Sequence, residues 1–115
     1  MRRSLLLAVC LTVALALVVA PSSLAKGNKH VTIKGSYGLY HFSPGTVTLK
    51  KGKTVHWAWS SDAKHNVTFG AKLNGKHSGT KASISDFKIT FNNTGTFNYK
   101  CTVHEFTGKV VVQNP

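Results

Sequence analysis

Gly95 to Val112 reads GTFNYKCTVHEFTGKVVV. Phe97 and Tyr99 fall on one side of an alternating run and Asn98 and Lys100 on the other, the period of a half-buried strand. A second strand opens at Gly108 and runs through Lys109-Val110-Val111-Val112. Between the two lies Cys101-x-x-His104, so a thiol and an imidazole stand together in the loop at one end of a sheet. Alone, that pair is a weak signal. Its meaning depends on the scaffold around it and on a further ligand from elsewhere.

The scaffold reads as strands throughout. Val31–Lys34 and Thr46–Lys50 alternate, and Lys51-Gly52-Lys53 makes a turn. Thr54–Trp59 follows, with Val55, Trp57 and Trp59 on one face. Val67–Phe69 is short, Ile84–Phe91 is longer, Asn92-Asn93-Thr94-Gly95 is a turn, and Thr96–Cys101 is the strand described above. The Gly-, Lys- and Ser-rich stretch Gly70–Ser83 is expected to be a loop with at most one short irregular strand. Short strands with turn signals every ~8–12 residues predict an all-β, antiparallel Greek-key sandwich.

Residues 1–25 read differently. Arg2 and Arg3 precede an apolar run from Leu5 to Ala20, and Pro21-Ser22-Ser23-Leu24-Ala25 has the small residues of a cleavage site. This is the pattern of a secretory signal peptide, with a retained membrane anchor as the alternative. The expected product is one domain, residues 26–115, in the periplasm or outside the cell. It keeps a single cysteine, Cys101. Small exported domains usually spend cysteines in pairs. An unpaired one is either buried as a small hydrophobe or bound to something.

Fifteen basic residues stand against three acidic ones, for a formal charge of +12. Every basic residue after Arg3 is lysine, scattered singly rather than clustered. Nucleic-acid readers rely on arginine for bidentate contacts, so nucleic acid is not the expected partner. The charge instead suits an acidic protein or an anionic cell-envelope surface, or serves solubility alone.

Of the six histidines, His30, His41, His56 and His77 lack a partner at ligand spacing. His65 is the candidate to complete the pair, because it follows the polar Ser60–Lys64, read as a turn, and opens Asn66-Val67-Thr68-Phe69. Two imidazoles and one thiolate, His65, Cys101 and His104, form the donor set of a blue-copper electron-transfer site.

From Tyr40 to Val112 the chain resembles the small cupredoxins of the plastocyanin and amicyanin type. FSPGTVTLKKGKTVHW (Phe42–Trp57), HNV (His65–Val67), GTFNYKCTVH (Gly95–His104) and GKVVV (Gly108–Val112) carry the likeness in that order. The resemblance implies one copper ion held by His65, Cys101 and His104, with the His104 ring edge as the port for electrons. It also implies that Asn66 ties the two ligand loops together and that its backbone N–H donates to the Cys101 sulfur.

The departure from the family lies in the loop. Relatives place a methionine near its end as a weak axial ligand, but the only methionine here is Met1. Glu105, Phe106 and Thr107 alone separate His104 from Gly108, which puts Phe106 or Thr107 in the axial slot. A phenyl group cannot donate to copper and should raise the reduction potential, whereas a Thr107 oxygen should lower it. The expected arrangement has Phe106 on the axial side of a nearly three-coordinate site.

The reading that follows is a monomeric electron carrier with a protein redox partner, and not an enzyme. Copper sequestration or delivery in the envelope, using the same ligands, is the alternative. A metal-free basic sandwich that binds anionic polymers is a third reading.

Overall fold

In the computed structural model, which describes residues 26–115, the seven stretches read as strands are strands, and an eighth that the sequence reading did not name, His41–Ser43, joins them. They are β1 (Lys29–Lys34), β2 (His41–Ser43), β3 (Thr46–Lys50), β4 (Thr54–His65), β5 (Thr68–Phe69), β6 (Lys81–Thr90), β7 (Gly95–Lys100) and β8 (Thr107–Gln113). The leader expected over residues 1–25 lies outside the described residues. Two four-stranded sheets, ordered β2-β1-β4-β6 and β3-β8-β7-β5, face each other as a sandwich.

Not every pairing is antiparallel. β1 runs parallel to β4, and β3 runs parallel to β8. A hairpin forces its two strands to run in opposite directions, but neither of these pairs is joined by one. The chain crosses from the first sheet to the second between β2 and β3. β3 therefore meets β8, a strand that forms much later in the sequence.

The inner faces supply the core. In β4, Val55, Trp57 and Trp59 are all buried, as their alternation requires. Trp57 packs against Phe69, Phe87 and Tyr99 with ring centroids 5.5–5.7 Å apart. Fully burying one such side chain contributes about 1.5–3 kcal/mol, so this cluster is a main source of cohesion. Tyr99 lies across the strand from Gly108 and almost touches it. Any side chain at Gly108 would collide with the ring, which accounts for a glycine in mid-strand.

Two segments differ from the sequence reading. Ser60–Lys64 is not a turn: β4 continues through it, and His65 is the last residue of that strand. The alternation simply carries on in polar residues, with Ser61, Ala63 and His65 turned inward and Ser60, Asp62 and Lys64 outward. β6 also starts earlier than expected, because its first residues pair with this extension, Ser83 with Ser60 and Lys81 with His65. What remains of the expected loop holds a single 3₁₀ turn, Ala71–Leu73, and an isolated bridge between Thr68 and His77.

Candidate metal centre

Three strand ends converge at one pole of the sandwich. β4 ends in His65, β7 delivers Cys101 in the residue after its end, and His104 sits in the loop before β8. One ligand atom from each lies within 4.8 Å of the others. The sulfur is 3.9 Å from His65 Nδ1 and 4.0 Å from His104 Nδ1. His65 and Cys101 are fully buried, whereas His104 is exposed.

The loop holds its shape through its own backbone. The Glu105 N–H donates to the Cys101 carbonyl (2.9 Å), and the Cys101 N–H donates to the Phe106 carbonyl (3.0 Å). Closing so short a turn puts Glu105 in the left-handed region at φ 60°. Asn66 then ties the loop to the end of β4 through its buried side chain. Its Nδ2 donates to Thr80 Oγ1 (3.0 Å) and Thr102 Oγ1 (2.8 Å). Its Oδ1 accepts from Thr68 Oγ1 (2.8 Å) and from the Thr102 N–H (3.1 Å).

A chain of polar contacts reaches the far nitrogen of His65. The Asp62 carboxylate only accepts, and the Ser61 hydroxyl lies 3.3 Å from its Oδ1. Ser61 Oγ also lies 2.9 Å from His65 Nε2. In the tautomer whose hydrogen sits on Nε2, Ser61 Oγ accepts it and the Nδ1 lone pair faces the sulfur. Burial, and then the neighbouring His104, hold the His65 pKa below its ordinary 6.5, with Asp62 pulling weakly the other way. A neutral imidazole is the form a metal needs.

The two candidates for the axial side separate clearly. Phe106 is half-buried, with its ring 4.6 Å from Phe42, 5.5 Å from His65 and 6.4 Å from His104. Thr107 is exposed, begins β8 and pairs with Lys100. Phe106 is thus the one packed against both ligand rings.

Tyr40, Ser61, Thr80 and Thr102 were not singled out from the sequence. The Tyr40 ring lies 4.5 Å from that of His65 and 4.8 Å from that of His104, and its hydroxyl donates to Asp62 Oδ1 at 2.8 Å. The available signal was the spacing of Tyr40 and Phe42 on either side of His41, which aims both aromatics the same way. The remaining histidines stay away from the site. His30 and His56 pair across β1 and β4 with ring centroids 5.0 Å apart, His77 Nδ1 accepts from the Gly79 N–H at 3.2 Å, and His41 is exposed on β2.

The donor set suits copper. Two imidazole nitrogens and a soft thiolate favour copper or zinc over hard cations. Nitrogen–sulfur separations of 3.9 and 4.0 Å are close to what two donors at about 2.0–2.3 Å from one ion would span.

Comparison with known proteins agrees. The amicyanin of Paracoccus versutus is 37% identical over 71 residues, covering 58% of this chain and 54% of that protein. This chain thus spans about half the length of that relative. The plastocyanin of Scenedesmus fuscus is 28% identical over 89 residues, covering 68% of this chain and 91% of that one. A purple cupredoxin from Nitrosopumilus maritimus shares the fold, with a TM-score of 0.62 at 21% identity over 74% of this chain and 99% of its own. The sequence pattern of the copper-binding plastocyanin/azurin family matches residues 29–113, a span that holds all eight strands and all three convergent side chains. The chain therefore belongs to the plastocyanin/azurin family of copper-binding proteins, the cupredoxins.

Proposed function

We propose that this protein is an exported electron carrier whose single copper is held by His65 Nδ1, Cys101 Sγ and His104 Nδ1. One observation carries the reading: three donors of the right kind converge within 4.8 Å, two of them sealed from solvent and one at the surface. Copper bound there would exchange one electron between Cu(I) and Cu(II). The protein's part is to hold the donors still. His65 and Cys101 sit at the ends of paired strands, and Asn66 locks their segments together. The bond expected from the Asn66 backbone N–H to the Cys101 sulfur is not among the hydrogen bonds of the described residues, where the sulfur's partners are His65 Nδ1 and His104 Nδ1; Asn66 acts through its side chain instead. Phe106 offers no lone pair on the axial side, which favours the reduced ion.

His104 is the port, as the one ligand that reaches the surface. Val103, its sequence neighbour, is exposed, and so are Tyr37 and Leu39 in the loop that carries Tyr40. The excess of lysine over acidic residues points to an acidic redox partner, with association that slows as salt rises. A rate indifferent to ionic strength would remove that inference. Residues 1–25 are assigned as the leader that exports a monomeric domain.

The test is to add Cu(II) to residues 26–115 and record the visible and electron paramagnetic resonance spectra. An intense blue band that bleaches reversibly on reduction, and is lost in Cys101→Ser, supports the carrier. A colourless protein that holds Cu(I) and yields it to a chelator would support delivery instead. A protein that takes up no copper, yet binds anionic polymers equally well as the parent and as Cys101→Ser, would refute both.

A further inference from the structure

We propose that Tyr40, latched by Asp62, is a positioning residue that walls the metal site against small exogenous ligands and holds the exposed His104 ring in place. The inference rests on the copper reading above. Its first support is the ring geometry. The His65 and His104 rings are 4.8 Å apart, and Tyr40 lies 4.5 and 4.8 Å from them, so the three rings form a closed triangle. Phe106 packs beside the same two histidines from further off, at 5.5 and 6.4 Å. Tyr40 is therefore the nearest aromatic neighbour of both ligand rings outside the donor set.

The second support is the latch. Tyr40 is half-exposed, and an aromatic ring in a surface loop does not hold one position unless it is tied. Here the hydroxyl donates to Asp62 Oδ1 (2.8 Å), and the Tyr37 N–H donates to Asp62 Oδ2 (3.2 Å). One carboxylate therefore grips the loop twice. Asp62 stands three residues before His65 on β4, so the latch and the buried ligand share a rigid strand. The base of the loop is pinned as well. Gly35 has φ 99°, and a Cβ there would lie 1.8 Å from the Leu39 carbonyl oxygen, so the chain doubles back tightly before reaching Tyr40. Asp62 is one of only three carboxylates in a chain with 15 basic residues, and it stands where it can hold this ring.

His104 gains most from the wall. It is exposed, lies in a loop rather than on a strand, and has its Nδ1 turned to the sulfur. Taking Tyr40 away would free the ring and open a path for a small anion to the metal. Azide is a suitable probe, because its binding to Cu(II) gives a new absorption band.

The experiment titrates copper-loaded parent, Tyr40→Phe, Asp62→Asn and Tyr40→Ala with azide. The parent and all three variants are first checked for folding by circular dichroism. The parent should remain unchanged. Tyr40→Ala should bind azide at least about tenfold more tightly than the parent. Tyr40→Phe and Asp62→Asn keep a ring but lose the latch, so they should fall between. A parent that takes azide as readily as Tyr40→Ala, or a Tyr40→Ala that excludes it as well as the parent, would overturn the proposal.

A metal-free readout separates this idea from the copper reading. In the apoprotein, nuclear Overhauser contacts between the Tyr40 ring and both histidine rings are expected, and they should weaken in Asp62→Asn. Their absence from the parent, or their persistence at full strength in Asp62→Asn, would sink the latch whether or not copper binds. Failure of the parent to form a copper complex would count against the copper reading alone.

Discussion

Replacing Gly108 by alanine tests whether the packing beneath the metal loop is as tight as the geometry says. A Cβ built on Gly108 lies 2.4 Å from Tyr99 Cζ, 2.5 Å from Oη and 2.8 Å from Cε2. Carbon atoms in good contact sit about 3.5–4.0 Å apart, so the ring would have to retreat by roughly 1 Å. It has nowhere to go, because Phe42, Trp57 and Phe69 surround it at ring distances of 4.7, 5.5 and 5.1 Å. A term of opposite sign exists. Gly108 is not among the glycines at positive φ, so alanine fits its backbone and stiffens the unfolded chain, a gain of about 0.4–1 kcal/mol. Overpacking a tight core costs about 1–3 kcal/mol, and expelling a large aromatic costs about 3–5 kcal/mol. The clash wins, with a net loss of about 2 kcal/mol, equivalent to a fall in Tm of about 8–16 °C for a domain of this size. Thermal unfolding of metal-free residues 26–115, followed by circular dichroism, reads it directly. Tyr99→Phe should not rescue the variant, since Cζ remains in the way. The hydroxyl it removes has no hydrogen-bond partner among the described residues. Tyr99→Leu should rescue in part, with a coupling energy above about 1 kcal/mol in a double-mutant cycle. A Gly108→Ala protein as stable as the parent, or more so, would mean that only the unfolded-chain term operates and that the ring is not confined.

Asn66→Ala removes four hydrogen bonds from a buried side chain and strands the Thr102 N–H, so urea unfolding should show a loss of about 1–3 kcal/mol. Phe106→Met puts a thioether beside the histidines and should lower the reduction potential by voltammetry; an unchanged or higher value would place Phe106 away from the axial side. The metal-free protein should weaken on acidification. The folded pKa of His65 lies below its unfolded value of about 6.5, so as pH falls through that value the unfolded chain takes up a proton the folded one refuses. Stability should then drop by up to ~1.4 kcal/mol per pH unit until the folded pKa is passed, and His65→Gln should flatten that slope between pH 7.5 and 5.5.

The parts of the site that were readable from sequence are those that follow a short-range rule. Phe97 and Tyr99 alternate with Thr96, Asn98 and Lys100, and both are buried in β7. Cys101 and His104 sit three residues apart in the loop between β7 and β8, so they required no knowledge of distant contacts. His65 was found by its chemistry, but its setting was misread, because Ser60-Ser61-Asp62 has the composition of a turn. What makes it strand is pairing with β6, roughly twenty residues away, and a polar strand edge looks the same as a turn until its partner is known. Tyr40 was hidden for the same reason. Its tie to Asp62 spans 22 residues, and the Asn66–Thr102 tie spans 36. Both ties join polar groups at a pole where inward-facing positions are no longer apolar, so hydrophobic alternation carries no information there. The donors announce themselves by element, sulfur and imidazole. The groups that orient them are ordinary serines, threonines, an asparagine and a tyrosine, given their roles only by the crossing of the chain between the sheets. The parallel β3–β8 pair belongs to that same crossing, which seats the β7–β8 ligand loop beside the end of β4.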